Sequence, residues 1–159
     1  MTTSGYGISI RQATPRAIAC VRTQLPAARV SSSFAQYLNQ VYALGRDGTI
    51  QLDGQNIFVY RAGVHAGEVD VEFGVGVNAP FSPSGLVTYS QLPVGEVAVT
   101  QHTGDYSKLG VGHAAVIDYC RSNGRQLAGA RWEIYGHWNE DPRLVHTDIY
   151  YLLLHVDSN

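Results

Sequence analysis

A single carboxylate, Glu133, stands between Trp132 and Ile134-Tyr135 in an otherwise apolar, strand-like run. Alternate side chains of a strand point to opposite faces, so Arg131, Glu133 and Tyr135 share one face while Trp132 and Ile134 share the other. Two chemistries suit that arrangement. Glu133 either pairs with Arg131 or lies at a wet strand edge, where a charge serves only solubility, or it sits at the bottom of an aromatic-lined pocket. A desolvated carboxylate is costly, so one held in a pocket is held for a cationic or polarised ligand. Asp148 and Glu72 are candidate partners for Glu133 in acid and base work; their spacing along the chain leaves their separation open.

Other residues able to do chemistry give weaker signals. The stretch His102-Thr103-Gly104-Asp105-Tyr106-Ser107-Lys108-Leu109-Gly110 follows a strand and opens a helix. It reads as a turn with an N-cap, or as a segment that brings Tyr106 and His102 to the mouth of a cavity. His113, on an otherwise apolar helix face, reads as a hydrogen-bonded core residue. The six histidines form no HExxH, HxxxH or Cys-His zinc pattern, so no metal is expected. Gly110 to Ala115 and Gly74 to Ala79 match the loose GxGxxA form, but one lies inside a helical pattern and the other ends a strand. Neither has the strand, turn and helix of a dinucleotide site, and no cofactor is expected. No GxSxG elbow occurs, and Ser4 and Ser84 sit in loops without an identifiable base.

Composition narrows the classes further. A chain of 159 residues, 45% hydrophobic and 15% charged, is expected to form one domain with a sizeable core. The net charge of −2 and the scatter of the arginines argue against direct nucleic-acid binding. Met1 to Gly5 lacks the pattern of a signal peptide, and no apolar run approaches the roughly 18 residues of a membrane span, so a cytoplasmic protein is expected. Cys20 and Cys120 read as buried free thiols.

The elements that position these residues follow from periodicity. Ile8 to Leu25 reads as two short strands or one bent strand around Pro15. Ser33-Phe34-Ala35-Gln36 is a capping-box pattern, and Phe34, Leu38, Val41 and Tyr42 continue at helical spacing to Gly45. Asp53-Gly54 signals a turn; Ile57 to Tyr60 and Val69 to Val77 then read as a hairpin. Residues 80–94, rich in proline and serine, read as a linker with at most a short structured piece. The order then repeats. Val97 to Gln101 is a strand, and Asp105 or a neighbour caps a helix carrying Leu109, Val116, Ile117 and Cys120, which Asn123-Gly124 ends. Arg131 to Tyr135 and Thr147 to Val156 form a second hairpin. The halves, about 6–79 and 95–157, overlay with a shift of roughly 75 to 79 residues, like a duplicated subdomain. Under that overlay Glu133 falls on Phe58, His113 on Leu38 and Asp148 on Glu72.

Four stretches together resemble the GyrI-like small-molecule-binding family, which is similar to the effector-binding domain of multidrug-sensing bacterial transcription activators. They are Gly95-Glu96-Val97-Ala98 leading to His102-x-Gly104-x-Tyr106-x-x-Leu109-Gly110, Trp132 to Tyr135, Thr147-Asp148-Ile149-Tyr150, and Asp70-Val71-Glu72 in the first half. The resemblance covers essentially the whole chain. It implies an α+β fold of two strand-helix-strand-strand repeats related by a pseudo-twofold, with antiparallel sheets and a ligand cleft between the lobes. It implies further that Glu133 is the buried glutamate that receives bulky, often cationic, aromatic compounds, with Tyr150, Tyr106 and Trp132 lining the cleft and Tyr37 and Phe58 contributing from the first half. The implied role is ligand binding as a sensor, sequestering protein or modulator. Two alternatives stand beside it. One is hydrolysis of cyclopropane-bearing genotoxic compounds using Glu133, Tyr106 and Tyr150; the other is a protein-interaction module acting on DNA gyrase. Asp148, Tyr151-Leu152-Leu153 and Arg131 depart from the usual pattern, and a contact of Arg131 with Glu133 would neutralise the site.

Overall fold

A computed structural model describes residues 5–61 and 66–155. The chain forms two compact units, an N-unit of Pro15–Leu92 and a C-unit that joins Met1–Thr14 to Pro93–Asn159. Met1 to Ser4 and Val156, on which expectations above fall, lie outside the described residues.

In the N-unit, β2 (Ala17–Pro26) leads into α1 (Val30–Arg46), and β3 (Leu52–Tyr60) and β4 (Glu68–Val77) follow as a hairpin. The C-unit repeats this order with β6 (Gly95–Thr103), α2 (Leu109–Ser122), β7 (Leu127–Tyr135) and β8 (His146–Leu153). Each unit gains one more strand, and the two are exchanged. β1 (Ser9–Ala13) runs just before β2 in the chain yet pairs with β6, while β5 (Val87–Gln91) runs just before β6 yet pairs with β2. The sheets are antiparallel, in the order β5-β2-β4-β3 and β1-β6-β8-β7. The expected α+β class and both strand-helix-strand-strand repeats are therefore present. The segment read as a linker contributes an edge strand to the N-unit, and the stretch ahead of residue 15 belongs to the C-unit.

Each helix covers one face of its sheet. In the C-unit, Val116 and Cys120 of α2 meet Ala98, Ile149, Tyr151 and Leu153, with Ile8, Ile10, Leu109 and Ile117 around them. Burial of each large apolar side chain here contributes about 1.5–3 kcal/mol. In the N-unit, Leu38 and Val41 are buried on α1, and Phe34 and Tyr37 lie against Phe58 and Phe73.

Three local readings change in the structure. The capping box is not used: α1 begins at Val30, after a 3-10 turn over Ala27–Arg29, so Ser33 and Gln36 lie within the helix. Pro26, with φ fixed near −58°, already sets the chain to enter that turn. Gly45 is not the stop either, since Gly48 holds the left-handed φ of 83° that ends the helix. A Cβ on Gly45 would come within 2.7 Å of Leu52 Cδ1, so that glycine serves close packing. Finally, Asp53-Gly54 is a bulge inside β3 and not a turn. The register steps from Leu52 opposite Val77 to Asn56 opposite Val75, with Gly54 at φ 82°. The C-unit has the same device, where β7 steps from Leu127 opposite Leu153 to Arg131 opposite Tyr151, with Gly129 at φ 108°. Phe58 and Glu133 each follow the bulge glycine by four residues and face Phe73 and Ile149, respectively.

Candidate functional site

The β7–β8 register fixes which face Glu133 occupies. Arg131 lies opposite Tyr151, Glu133 opposite Ile149 and Tyr135 opposite Thr147. Directly paired residues share a face, and Ile149 and Tyr151 belong to the core beneath α2. Glu133 therefore points under the helix, where only 6% of it is exposed.

There it meets His113, one of the two residues that α2 and β8 supply to a hydrogen-bonded chain. His113 Nε2 is 2.6 Å from Glu133 Oε2, and His113 Nδ1 is 2.7 Å from the Tyr151 hydroxyl. The Tyr135 hydroxyl donates to Glu133 Oε1 at 2.6 Å. A carboxylate only accepts, so Nε2 carries a proton; in the neutral imidazole Nδ1 then accepts from the Tyr151 hydroxyl. Burial pushes the Tyr151 phenol up to about 12, with the charge of Arg131 acting in the opposite direction, so Tyr151 stays a donor at neutral pH. The chain Tyr135, Glu133, His113, Tyr151 thus gives each member a partner, and such linked bonds polarise one another.

Toward the surface, Tyr106 sets its ring edge-on to Tyr135, with centroids 5.6 Å apart and planes at 86°. Tyr106 is 39% exposed and opens the 3-10 turn Tyr106–Lys108, which Asp105 caps by accepting from the Ser107 amide at 3.1 Å. His102 holds this turn in place. Its Nε2 donates to the Asp105 carbonyl at 2.9 Å, and its Nδ1 is 2.7 Å from the Tyr6 hydroxyl. His102 is thereby a buried fastener for the segment carrying Tyr106. Thr147, wholly buried opposite Tyr135, has a hydroxyl with no hydrogen-bond partner. Gly112 leaves α2 close to the sheet, since a Cβ there would come within 2.8 Å of Ile149 Cδ1.

The expected site residues divide between places. Glu133 and Tyr106 come together through Tyr135. Trp132 and Tyr150 lie on the opposite face of the C-unit sheet, stacked on each other at 5.3 Å and 6°. Tyr37 and Phe58 belong to the N-unit, where Tyr37 stacks on Phe73 at 5.3 Å and Phe58 meets Phe73 edge-on at 5.0 Å. Asp148 cannot share acid and base work with Glu133, because it pairs with Ile134 on the other face and accepts from Gln101. Glu72, buried in the N-unit, is held by Arg61 at 2.9 Å and by the Ser90 hydroxyl at 2.9 Å. Sequence reasoning places His113 in the core and Tyr135 on the face of Glu133 without naming either as a site residue, and it does not single out Tyr151. Period two from Glu133 pointed to Tyr135, whereas Tyr151 needed the strand register.

Cys20 and Cys120 are buried free thiols, and burial with the Glu72 charge pushes Cys20 up to about 12. Among the described residues no group of three His, Cys, Asp or Glu side chains could hold a metal ion, and no helix is long and apolar enough to cross a membrane. A cavity of about 630 Å³ opens in the N-unit at the end of α1, lined by Tyr42, Arg46, Gln51, Leu52 and Asn78 among others and by no acidic residue.

No protein-family model matches this sequence, and no curated protein sequence matches it. Solved structures do. The crystal structure of the EcmrR C-terminal domain superposes with a TM-score of 0.74 at 20% identity, over 95% of this chain and 99% of that one. EcmrR in its complex with DNA gives the same TM-score at 18% identity, and the match spans 58% of that longer chain. SAV2435 bound to tetraphenylphosphonium superposes with a TM-score of 0.64 at 12% identity, over 93% of this chain and 94% of that one. The likeness at these identities is one of fold: this chain has the fold of the GyrI-like effector-binding domains.

Proposed function

We propose that this chain is a small-molecule effector-binding domain whose ligand is aromatic and, at neutral pH, cationic, received at Glu133. The carrying observation is the carboxylate itself, which is 6% exposed and held by a tyrosine hydroxyl and an imidazole. These partners keep the group buried and oriented beneath α2. Tyr106 and Tyr135 add aromatic faces, and a cation over such a face gains about 0.5–2 kcal/mol. The structure of SAV2435 with tetraphenylphosphonium supports the same chemistry in a protein of this fold. The cavity in the N-unit fits a cation poorly, because Arg46 lines it.

Titration of the intrinsic tryptophan fluorescence with tetraphenylphosphonium tests this reading. Glu133→Gln is expected to weaken binding by about ten-fold or more, equivalent to about 1.4 kcal/mol. Arg131→Gln is expected to bind the cation at least as tightly as the parent. A Glu133→Gln protein that binds like the parent, or a parent that responds to no cationic aromatic compound, would overturn it.

A further inference from the structure

Resting on that binding reading, we infer that the Thr147 hydroxyl selects, among aromatic ligands, those that carry a hydrogen-bonding substituent such as a hydroxyl, an amine or a carbonyl. Thr147 lies on the helix-covered face of the C-unit sheet, directly opposite Tyr135 on β7 and His102 on β6. It is wholly buried, and its hydroxyl has no hydrogen-bond partner. The polar atoms of its two neighbours turn elsewhere. The Tyr135 hydroxyl donates to Glu133 at 2.6 Å, while His102 donates to the Asp105 carbonyl and faces the Tyr6 hydroxyl. Thr100, buried on the same face opposite Ile149, shows the usual arrangement and donates to the Gly7 carbonyl at 2.9 Å. A hydroxyl buried without a partner costs stability, so one retained beside a binding site calls for a reason.

Packing does not supply that reason. In the N-unit the same position is Val71, which lies opposite Tyr60 as Thr147 lies opposite Tyr135 and is equally buried. Valine has the shape of threonine without the hydroxyl, so an apolar side chain meets the demands of this place in the fold. The hydroxyl is what the C-unit adds. Tyr135–Thr147 and Glu133–Ile149 are successive pairs on one face, so Thr147 stands about 7 Å along the strands from the Glu133 pair. One aromatic group spans that interval, with its charge toward Glu133 and a ring substituent toward Thr147. The ligand enters by way of Tyr106, which is 39% exposed and rests edge-on against Tyr135. A threonine hydroxyl both donates and accepts, so any of the three substituents pairs with it. A ring without one leaves the hydroxyl unpaired, and a buried polar group discriminates strongly against the analogue that cannot pair with it.

The probes are tetraphenylphosphonium analogues with a hydroxymethyl group on one ring, at the ortho, meta or para position, each paired with the ethyl analogue of the same shape. Every probe carries the same single positive charge, so the charges around Glu133, that of Arg131 included, act on both members of a pair alike. Tryptophan fluorescence of the full chain gives the ratio of hydroxymethyl to ethyl affinity. For at least one ring position that ratio is expected to be about five-fold or more higher in the parent than in Thr147→Val, equivalent to about 1 kcal/mol for one hydrogen bond. Thr147→Ser keeps the hydroxyl and is expected to hold the parent's ratio. Should Thr147→Val not fold, Thr147→Ala takes its place in the same comparison. If the probes bind and the ratios of parent and variant agree at all three positions, this inference fails and the binding reading stands. A ratio that falls in Thr147→Ser as far as in Thr147→Val also overturns it, because the hydroxyl would not be the cause. If no probe binds, the binding reading fails and takes this inference with it.

Discussion

The two units solve the same packing problem with opposite chemistry. In the N-unit the corresponding positions are Leu38, Phe58 and Val75, all apolar and buried. Beneath α2 the matching positions are His113, Glu133 and Tyr151, joined by hydrogen bonds of 2.6 and 2.7 Å. The buried acid of each unit also changes sides. Glu72 lies on the face of the N-unit sheet away from its helix, where Arg61 and Ser90 neutralise and cap it. Glu133 lies on the helix face, held by the His113 imidazole and the Tyr135 hydroxyl. One unit therefore holds its carboxylate with an arginine and a serine, and the other holds with an imidazole and a phenol the carboxylate proposed above to receive a ligand.

The largest effect is expected from breaking the structural pair. Arg61→Ala leaves Glu72 buried with an uncompensated charge, and a loss of about 3 kcal/mol or more in urea unfolding is expected. A loss below about 1 kcal/mol would show that Glu72 is not held as an ion pair. Converting the C-unit to the N-unit's solution sharpens the contrast. The triple change Glu133→Phe, His113→Leu and Tyr151→Val roughly conserves volume, because the ring lost at 151 is regained at 133. Replacement of a buried polar network by apolar groups of similar volume is commonly neutral or stabilising. The triple variant is expected to fold with a midpoint at or above the parent's and to lose cation binding; a fold lost with the network would make Glu133 structural.

High pH gives a smaller effect with a definite sign. Tyr151 and Cys20 are both held at about 12, above their ordinary values of 10.0 and 9.0. A raised folded value adds stability below the ordinary value, and that stability is lost as pH rises through the folded value. Unfolding midpoints are thus expected to fall from about pH 9 to about pH 12, less steeply in Tyr151→Phe and in Cys20→Ala. Smallest is Gly112→Ala. The new Cβ would press on the end of the flexible Ile149 side chain, and a cost of about 1 kcal/mol is expected, with binding weakened because α2 carries His113.

Much of this arrangement was legible in the sequence where the interactions are local. Periodicity gave both helices and both hairpins, and the shift of about 75 residues already set Phe58 against Glu133. The alternation of β7 likewise put Trp132 across the sheet from Glu133, although the family resemblance put it in the site. The exchange of β1 and β5 was not legible: Ile8 to Leu25 reads as two short strands and residues 80–94 as a linker with at most a short structured piece, but nothing local says that β1 pairs with β6 and β5 with β2, far away in the chain. Tyr151 was missed for the same reason. Its contact with His113 joins a helix to a strand 38 residues on, and only the register of β8 tells Tyr151 from Tyr150. His113 reads as a hydrogen-bonded core residue on an apolar face; it lies there, with Glu133 and Tyr151 as its partners.

A crystal structure of the protein with tetraphenylphosphonium tests the central claim most directly. The account predicts the phosphonium on the α2-covered face of the C-unit sheet, beside Glu133 and within about 6 Å of the Tyr135 or Tyr106 ring. A cation seated in the N-unit cavity by Tyr42 and Arg46, with Glu133 still enclosed by His113 and Tyr135, would contradict it.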